Sequence, residues 1–184
     1  QAGIRFTPKD LFQHQTIQAL ASVARRGEQA LLIDQGPVTG ELPLLPVQQV
    51  FFGQNIPERQ HWNQAVMLKP TQHLDAFVLE QALGALVAHH DGLRLSFVEQ
   101  AEGWQAHYRA VEPHGDALVW AVDVADATGL EVVANEAQRS LNLQDGPLVR
   151  AVLANLDDGS QRLLLAIHHL VVDGVSWRIL FEDL

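Results

Sequence analysis

The stretch Leu163-Leu164-Leu165-Ala166-Ile167-His168-His169-Leu170-Val171-Val172-Asp173-Gly174 decides how this chain is read. Its first five residues form an unbroken apolar run, which predicts a strand buried on both faces. Side chains alternate faces along a strand, so His168 and His169 at its end point opposite ways. One ring then faces a cleft while the other packs or hydrogen-bonds inside. Such a placement argues against both rings ligating one metal, which favours positions on a shared face. Gly174 permits a turn closed to other residues. Asp173 is expected to fold inward with that turn and pair with a buried arginine.

Working outward, Leu148–Leu156 and Gln161–His168 flank the turn signal Asp157-Asp158-Gly159 and predict a hairpin. Leu93–Val98 and Trp104–Arg109, separated by Glu102-Gly103, predict another. Strand-like runs also end at Leu68 and cover Leu118–Val124. Leu74, Val78, Ala82 and Leu86 recur every four residues, with Phe77, Leu79, Leu83 and Val87 widening the stripe into a strongly apolar helix. Helices are further expected at Pro46–Phe52, Leu130–Leu141 and Val175–Leu184. Glu80, Glu131 and Glu136 are placed on solvated helix surfaces. Interleaved helices and hairpins give an α+β class, with a mostly antiparallel or mixed sheet flanked by helices.

The N-terminal segment reads differently. Thr7 is positioned to cap a helix opened by Pro8, with Asp10 three residues after the cap. Thr16 is positioned to cap a second helix, closed by Arg25-Arg26-Gly27. Gly36-Pro37, Gly40, Pro43 and Pro46 then interrupt any periodicity, which is linker composition.

Composition bounds the function. The 184 residues are 47% hydrophobic and 18% charged, which excludes a disordered chain. The formal charge of −10, with Lys9 and Lys69 the only lysines, argues against nucleic acid and against an anionic membrane surface. No apolar run reaches the roughly 18 residues of a transmembrane helix. The absence of cysteine excludes disulfides, thiolate zinc sites and a cysteine nucleophile. No signal-peptide pattern opens the chain, and a cytoplasmic location is expected. A start without Met and an end within a helical stretch lead us to expect a piece of a longer protein.

The spacing of two histidines followed four and five residues later by Asp173-Gly174 resembles the HHxxxDG motif of condensation-type domains of nonribosomal peptide synthetases. Those domains share a chloramphenicol acetyltransferase-like fold. The resemblance spans about residues 42 to 184. Leu45-Pro46-Val47-Gln48-Gln49-Val50-Phe51-Phe52 is similar to the superfamily's opening motif, and His90-Asp91-Gly92-Leu93-Arg94-Leu95-Ser96-Phe97 to its second. The second motif usually reads Arg-His-Glu-x-Leu-Arg, so His89 and Asp91 are departures that weaken a standard condensation reading. His61-Trp62-Asn63-Gln64 and Asp173-Gly174-Val175-Ser176-Trp177-Arg178-Ile179-Leu180 are similar instead to epimerization domains, which invert an amino acid's α-carbon. Phe6–Ile17 resembles the last helices of a peptidyl carrier domain.

The resemblance implies residues 1–26 as a carrier-domain tail, 27–41 as linker, and 42–184 as the N-terminal lobe of a two-lobed domain. It implies an aminoacyl or peptidyl thioester on a carrier's 4'-phosphopantetheine arm, whose attachment serine lies outside this chain, and no metal. His169 is the implied acid/base group, with His168 structural. Asp173 and Arg94 are expected as a buried ion pair that shapes the loop, and the Gly174 and Val175 amides as donors at a helix start. Ser176 and Trp177 are candidates for the substrate channel, although Ser176 lacks a nucleophile elbow and reads first as a helix cap. The remaining tryptophans, Trp62, Trp104 and Trp120, are expected in packing. Partners would be the upstream carrier domain, the C-terminal lobe and adjacent synthetase domains. The second acid/base group would belong to that C-terminal lobe, so this piece alone is expected to be inactive. Condensation, forming a peptide bond between two carrier-bound substrates, and non-catalytic carrier docking stay open as alternatives.

Overall fold

The computed structural model describes residues 4–26, 36–111 and 117–184, in two units, Gln1–Gly36 and Pro37–Leu184. In the first unit, β1 (Ile4–Arg5) leads into α1 (Pro8–Gln13) and α2 (Ile17–Val23). The Thr7 hydroxyl accepts from the Asp10 amide at 3.1 Å, and the Asp10 carboxylate accepts from the Thr7 amide at 2.8 Å. Thr16 likewise caps α2 through the Ala19 amide. The expected helix closure at Arg25-Arg26-Gly27 is not what forms. The helix ends at Val23, and Arg25–Arg26 become β2, paired antiparallel with β1. That pairing satisfies backbone groups that a helix end would leave open. Gly27 lies outside the described residues.

Of the linker expected over 27–41, residues 27–35 also lie outside the described residues. Gly40–Leu42 form β3, so the second unit is already structured before residue 42. β3 pairs antiparallel with β6 (Gly103–Tyr108), which pairs in turn with β5 (Leu95–Gln100). α3 (Pro46–Gly53) inserts Phe51 and Phe52 into the cluster this small sheet makes with Leu95, Phe97, Ala106 and Leu148. Trp104 stacks on Phe52 at 4.2 Å between ring centres, as a packing residue.

The larger sheet is mixed, in the order β4-β9-β8-β7. β4 (Asn63–Leu68), β9 (Gln161–His168) and β8 (Val149–Leu156) pair antiparallel, and β7 (Val119–Val124) runs parallel to β8. The hairpin between β8 and β9 turns at Gly159, whose φ of +77° lies where a side chain is strained. β9 explains its own apolar run. Leu163, Leu165 and Ile167 pack with Leu79, Leu83 and Leu86 of α4 (Ala76–His89) and Leu180 of α6 (Gly174–Asp183). Leu164 packs on the other face with Ala137 of α5 (Ala127–Arg139). α5 begins three residues earlier than its apolar pattern, because the Asp126 carboxylate accepts from the Gly129 amide at 2.8 Å and caps the helix there.

Glu80 departs from its expected place on a solvated face. Its carboxylate accepts the amides of Leu118 at 2.9 Å and Val119 at 2.7 Å, anchoring the start of β7 to α4. Replacing Glu80 by Ala strands two amide donors in a half-buried position. Urea unfolding is expected to record a loss of about 1–2 kcal/mol, and hydrogen exchange at Leu118 and Val119 should accelerate. An unchanged exchange rate at both amides would contradict this anchoring role.

Candidate active site

β9 delivers the two histidines to opposite sides, as the alternation requires. His168 is fully buried. Its Nε2–H donates to the Arg59 carbonyl at 2.8 Å, its Nδ1 accepts from the Leu170 amide at 3.2 Å, and its ring stands edge-on to Phe51. One neutral tautomer therefore satisfies both nitrogens. Burial pushes its pKa down to about 4. Both ring nitrogens are thus spent on contacts within the fold.

His169 is exposed. Its backbone amide donates to the Trp62 carbonyl at 2.9 Å, which holds the residue against the chain entering β4. Its Nδ1 lies 2.8 Å from the Val172 carbonyl. A carbonyl only accepts, so Nδ1 carries the proton and Nε2 turns outward with its lone pair. Gln64 of β4 approaches this nitrogen, with its amide nitrogen 3.4 Å away. The amide oxygen of Gln64 accepts from the Trp177 indole N–H at 2.8 Å. Trp177, half-buried on α6, stacks on Phe181 at 5.4 Å. Sequence reasoning gave Gln64 no role, because its closeness to His169 depends on strand pairing: Gln64 lies opposite Ile167 and Asn63 opposite His168.

Asp173 and Arg94 do not pair, which corrects the expectation. Asp173 is exposed and caps α6, accepting from the Val175 amide at 3.0 Å, the Ser176 amide at 2.8 Å and the Ser176 hydroxyl at 2.7 Å. The Ser176 bonds hold its carboxyl below the usual carboxylate range. Ser176 is thus the reciprocal half of a capping box, its hydroxyl also accepting from the Asp173 amide. The Val175 amide, expected as an anion donor, is already occupied by this carboxylate. Arg94 is buried and pairs with Asp91 three residues before it, while donating to the carbonyls of Arg109 at 2.5 Å and Val38 at 3.2 Å. Both carboxylates take the partner that the local turn supplies. Gly174 needs no special backbone conformation, since its φ is not positive, and a Cβ there would meet nothing within 4 Å. The expected closed turn at Gly174 is therefore replaced by an ordinary helix start facing open space.

A model of the family described as "Condensation domain" matches residues 38–184. The chain belongs to the condensation-domain family. Over its whole length it is 45% identical to a linear gramicidin synthase of Brevibacillus parabrevis and 44% identical to a surfactin synthase of Bacillus subtilis (strain 168). It spans only 4% and 5% of the length of these synthetases. Among solved structures, the epimerization domain from the third module of tyrocidine synthetase B superposes with a TM-score of 0.75 at 38% identity, covering 82% of this chain and 35% of that one. The first condensation domain of the CDA synthetase superposes with a TM-score of 0.64 at 25% identity, covering 78% and 37%.

Other features of this condensation-family domain lie apart from the motif. A cavity of about 770 Å³ borders α4 and the start of β7, lined by Phe77, Glu80, Gly84, Arg94 and Val119 among others, and no residue of the histidine motif lines it. Among the described residues, His89, His90 and Asp183 bring three donor atoms within 4.8 Å of one another. His90 Nε2 there is hydrogen-bonded to Asp183 at 2.9 Å, a contact between the ends of α4 and α6 that accounts for two of the three donors. Among the described residues no helix is long and apolar enough to cross a membrane.

The low pKa of His168 fixes a pH dependence. Between pH 6.5 and about 4 the unfolded chain holds a proton on this ring that the folded chain does not. Its contribution is complete above pH 6.5 and is lost as the pH falls towards about 4, amounting to about 3 kcal/mol at most. Imidazole nitrogen spectra are expected to show His168 neutral at pH 5, and a charged His168 at that pH would refute the assignment. Replacement by Gln should flatten part of the acid limb of the stability curve.

Proposed function

We propose that residues 42–184 are the N-terminal lobe of an epimerization domain in a nonribosomal peptide synthetase, with residues 1–26 the tail of the carrier domain before it. The observation that carries this reading is the meeting of Gln64 and Trp177 at His169. Gln64 ends the segment His61-Trp62-Asn63-Gln64 and Trp177 follows Ser176, so the two stretches that resemble epimerization domains touch each other beside the motif histidine. The likeness to the tyrocidine synthetase epimerization domain, at 38% identity, supports the same reading.

The substrate is an aminoacyl or peptidyl residue held as a thioester on the 4'-phosphopantetheine arm of a carrier domain. The exposed His169 ring and the open space at Gly174 suit the approach of a slender arm. A thioester acidifies its α-hydrogen, because sulfur donates less resonance to the carbonyl than oxygen or nitrogen does. His169 Nε2 takes or returns that proton on one face. Inversion needs a second acid/base group on the opposite face, supplied by the C-terminal lobe. These 184 residues alone are therefore inactive in this reading. Asp173 caps α6 beside the histidine, and its carboxylate also lies near enough to interact electrostatically with His169.

Condensation is the second reading, favoured by the family match itself and by the likeness to a solved condensation domain at 25% identity. The intact synthetase module, with a loaded carrier and no acceptor, separates the two. Epimerization is expected to give solvent deuterium at the α-carbon, and His169→Ala to slow that exchange by about 10²–10⁴-fold. Amide product from an added acceptor without any exchange would establish condensation instead. Unchanged turnover in His169→Ala, with carrier binding retained, would leave only a docking role.

A further inference from the structure

We infer that Gln64, oriented by Trp177, is a positioning residue that selects the tautomer of His169 and keeps its Nε2 free to accept a proton. The indole fixes the amide first. Trp177 Nε1–H is a donor only, so the atom it meets at 2.8 Å is the Gln64 amide oxygen. The other end of that planar amide is its NH₂ group, and this end faces His169 Nε2 at 3.4 Å. An NH₂ group donates, so the ring nitrogen facing it is the one with a lone pair. The opposite nitrogen, Nδ1, meets an acceptor, the Val172 carbonyl, at 2.8 Å. Both ends of the imidazole thus specify the same form, protonated at Nδ1 and open at Nε2.

The two locks are independent. The Val172 carbonyl belongs to the loop that follows β9, whereas Gln64 sits on β4 and Trp177 on α6. Turning the Gln64 amide over would set its NH₂ against the indole N–H, donor against donor, so the stacked and half-buried Trp177 holds the amide in place. The 3.4 Å approach is long for a hydrogen bond, which suits a group that orients the ring at rest and yields when a substrate carbon arrives. Trp177 then affects His169 through one intervening amide. In this form the proton accepted from a carbon acid goes to Nε2, while the Nδ1 proton stays on Nδ1, donated to the Val172 carbonyl.

This inference rests on the epimerization reading only for its kinetic consequence, so its principal test is spectroscopic. In the intact synthetase module with ¹⁵N-labelled histidine, long-range proton–nitrogen correlations distinguish the two neutral tautomers of each ring. His169 is expected as the Nδ1–H form. Trp177→Phe keeps an aromatic ring for stacking on Phe181 but removes the indole donor, and Gln64→Leu removes the amide. Each is expected to raise the Nε2–H fraction of His169 at least about threefold, and Trp177→Phe to lower kcat for α-proton exchange about tenfold with KM moved less than about twofold. A wild-type His169 in the Nε2–H form, or an unchanged tautomer ratio in Trp177→Phe, would overturn the inference. Retained exchange alongside that spectroscopic result would overturn it without touching the epimerization reading. Absence of exchange in a wild-type module showing the expected tautomer shifts would overturn epimerization alone.

Discussion

The burial of β9 on both faces is the constraint on which the remaining geometry depends. Each fully buried leucine contributes about 1.5–3 kcal/mol relative to an exposed one, and the strand carries apolar side chains to α4 and α6 on one side and to α5 on the other. Such a strand has little register information in its apolar run, because a shift by one residue exchanges one hydrocarbon for another. The two histidines supply what the leucines cannot. A slip would drive His169 into the interior and take His168 from the Arg59 carbonyl that satisfies it. Register is therefore set by this pair of rings, one dry and neutral, the other in contact with solvent.

Around this strand the charged groups work mostly over short distances. Asp173 turns its carboxylate to the first turn of its own helix, and Asp91 neutralises Arg94 from the same short turn. A buried guanidinium deprived of its carboxylate is strongly destabilising, by about 3–5 kcal/mol, which explains why the nearest carboxylate is used. The loop after His169 is consequently held by backbone and capping contacts. The side-chain path from α6 to the strand beside the motif runs from Trp177 through Gln64 to His169.

Local features were legible in the sequence for a physical reason: they involve residues close together along the chain. The Thr7–Asp10 capping box, both hairpins, the apolar stripe of α4 and the opposed faces of His168 and His169 all follow from spacing. The Asp173–Ser176 capping box has the same kind of spacing. In the sequence a long-range ion pair with Arg94 competes with it for the carboxylate, and the fold does not make that pair. The roles of Gln64 and Glu80 were not legible, because each depends on which strand lies beside which. Gln64 reaches His169 only through the pairing of β4 with β9. The family resemblance in the motifs identified the fold, but motifs carry no register and could not have named Gln64 as a neighbour.

Glu80 has one more implication. β7 and β8 are the parallel pair of the larger sheet, joined through α5, so no tight turn fixes how far one strand slides along the other. A displacement of β7 by a single position would exchange the side of the sheet on which Trp120 and Val122 lie with that of Val119 and Ala121. The carboxylate of Glu80, gripping the successive amides of Leu118 and Val119 where the strand begins, acts as a zero mark from which the rest of β7 is counted. A side chain on a helix thereby does for this strand what a two-residue turn does for a hairpin.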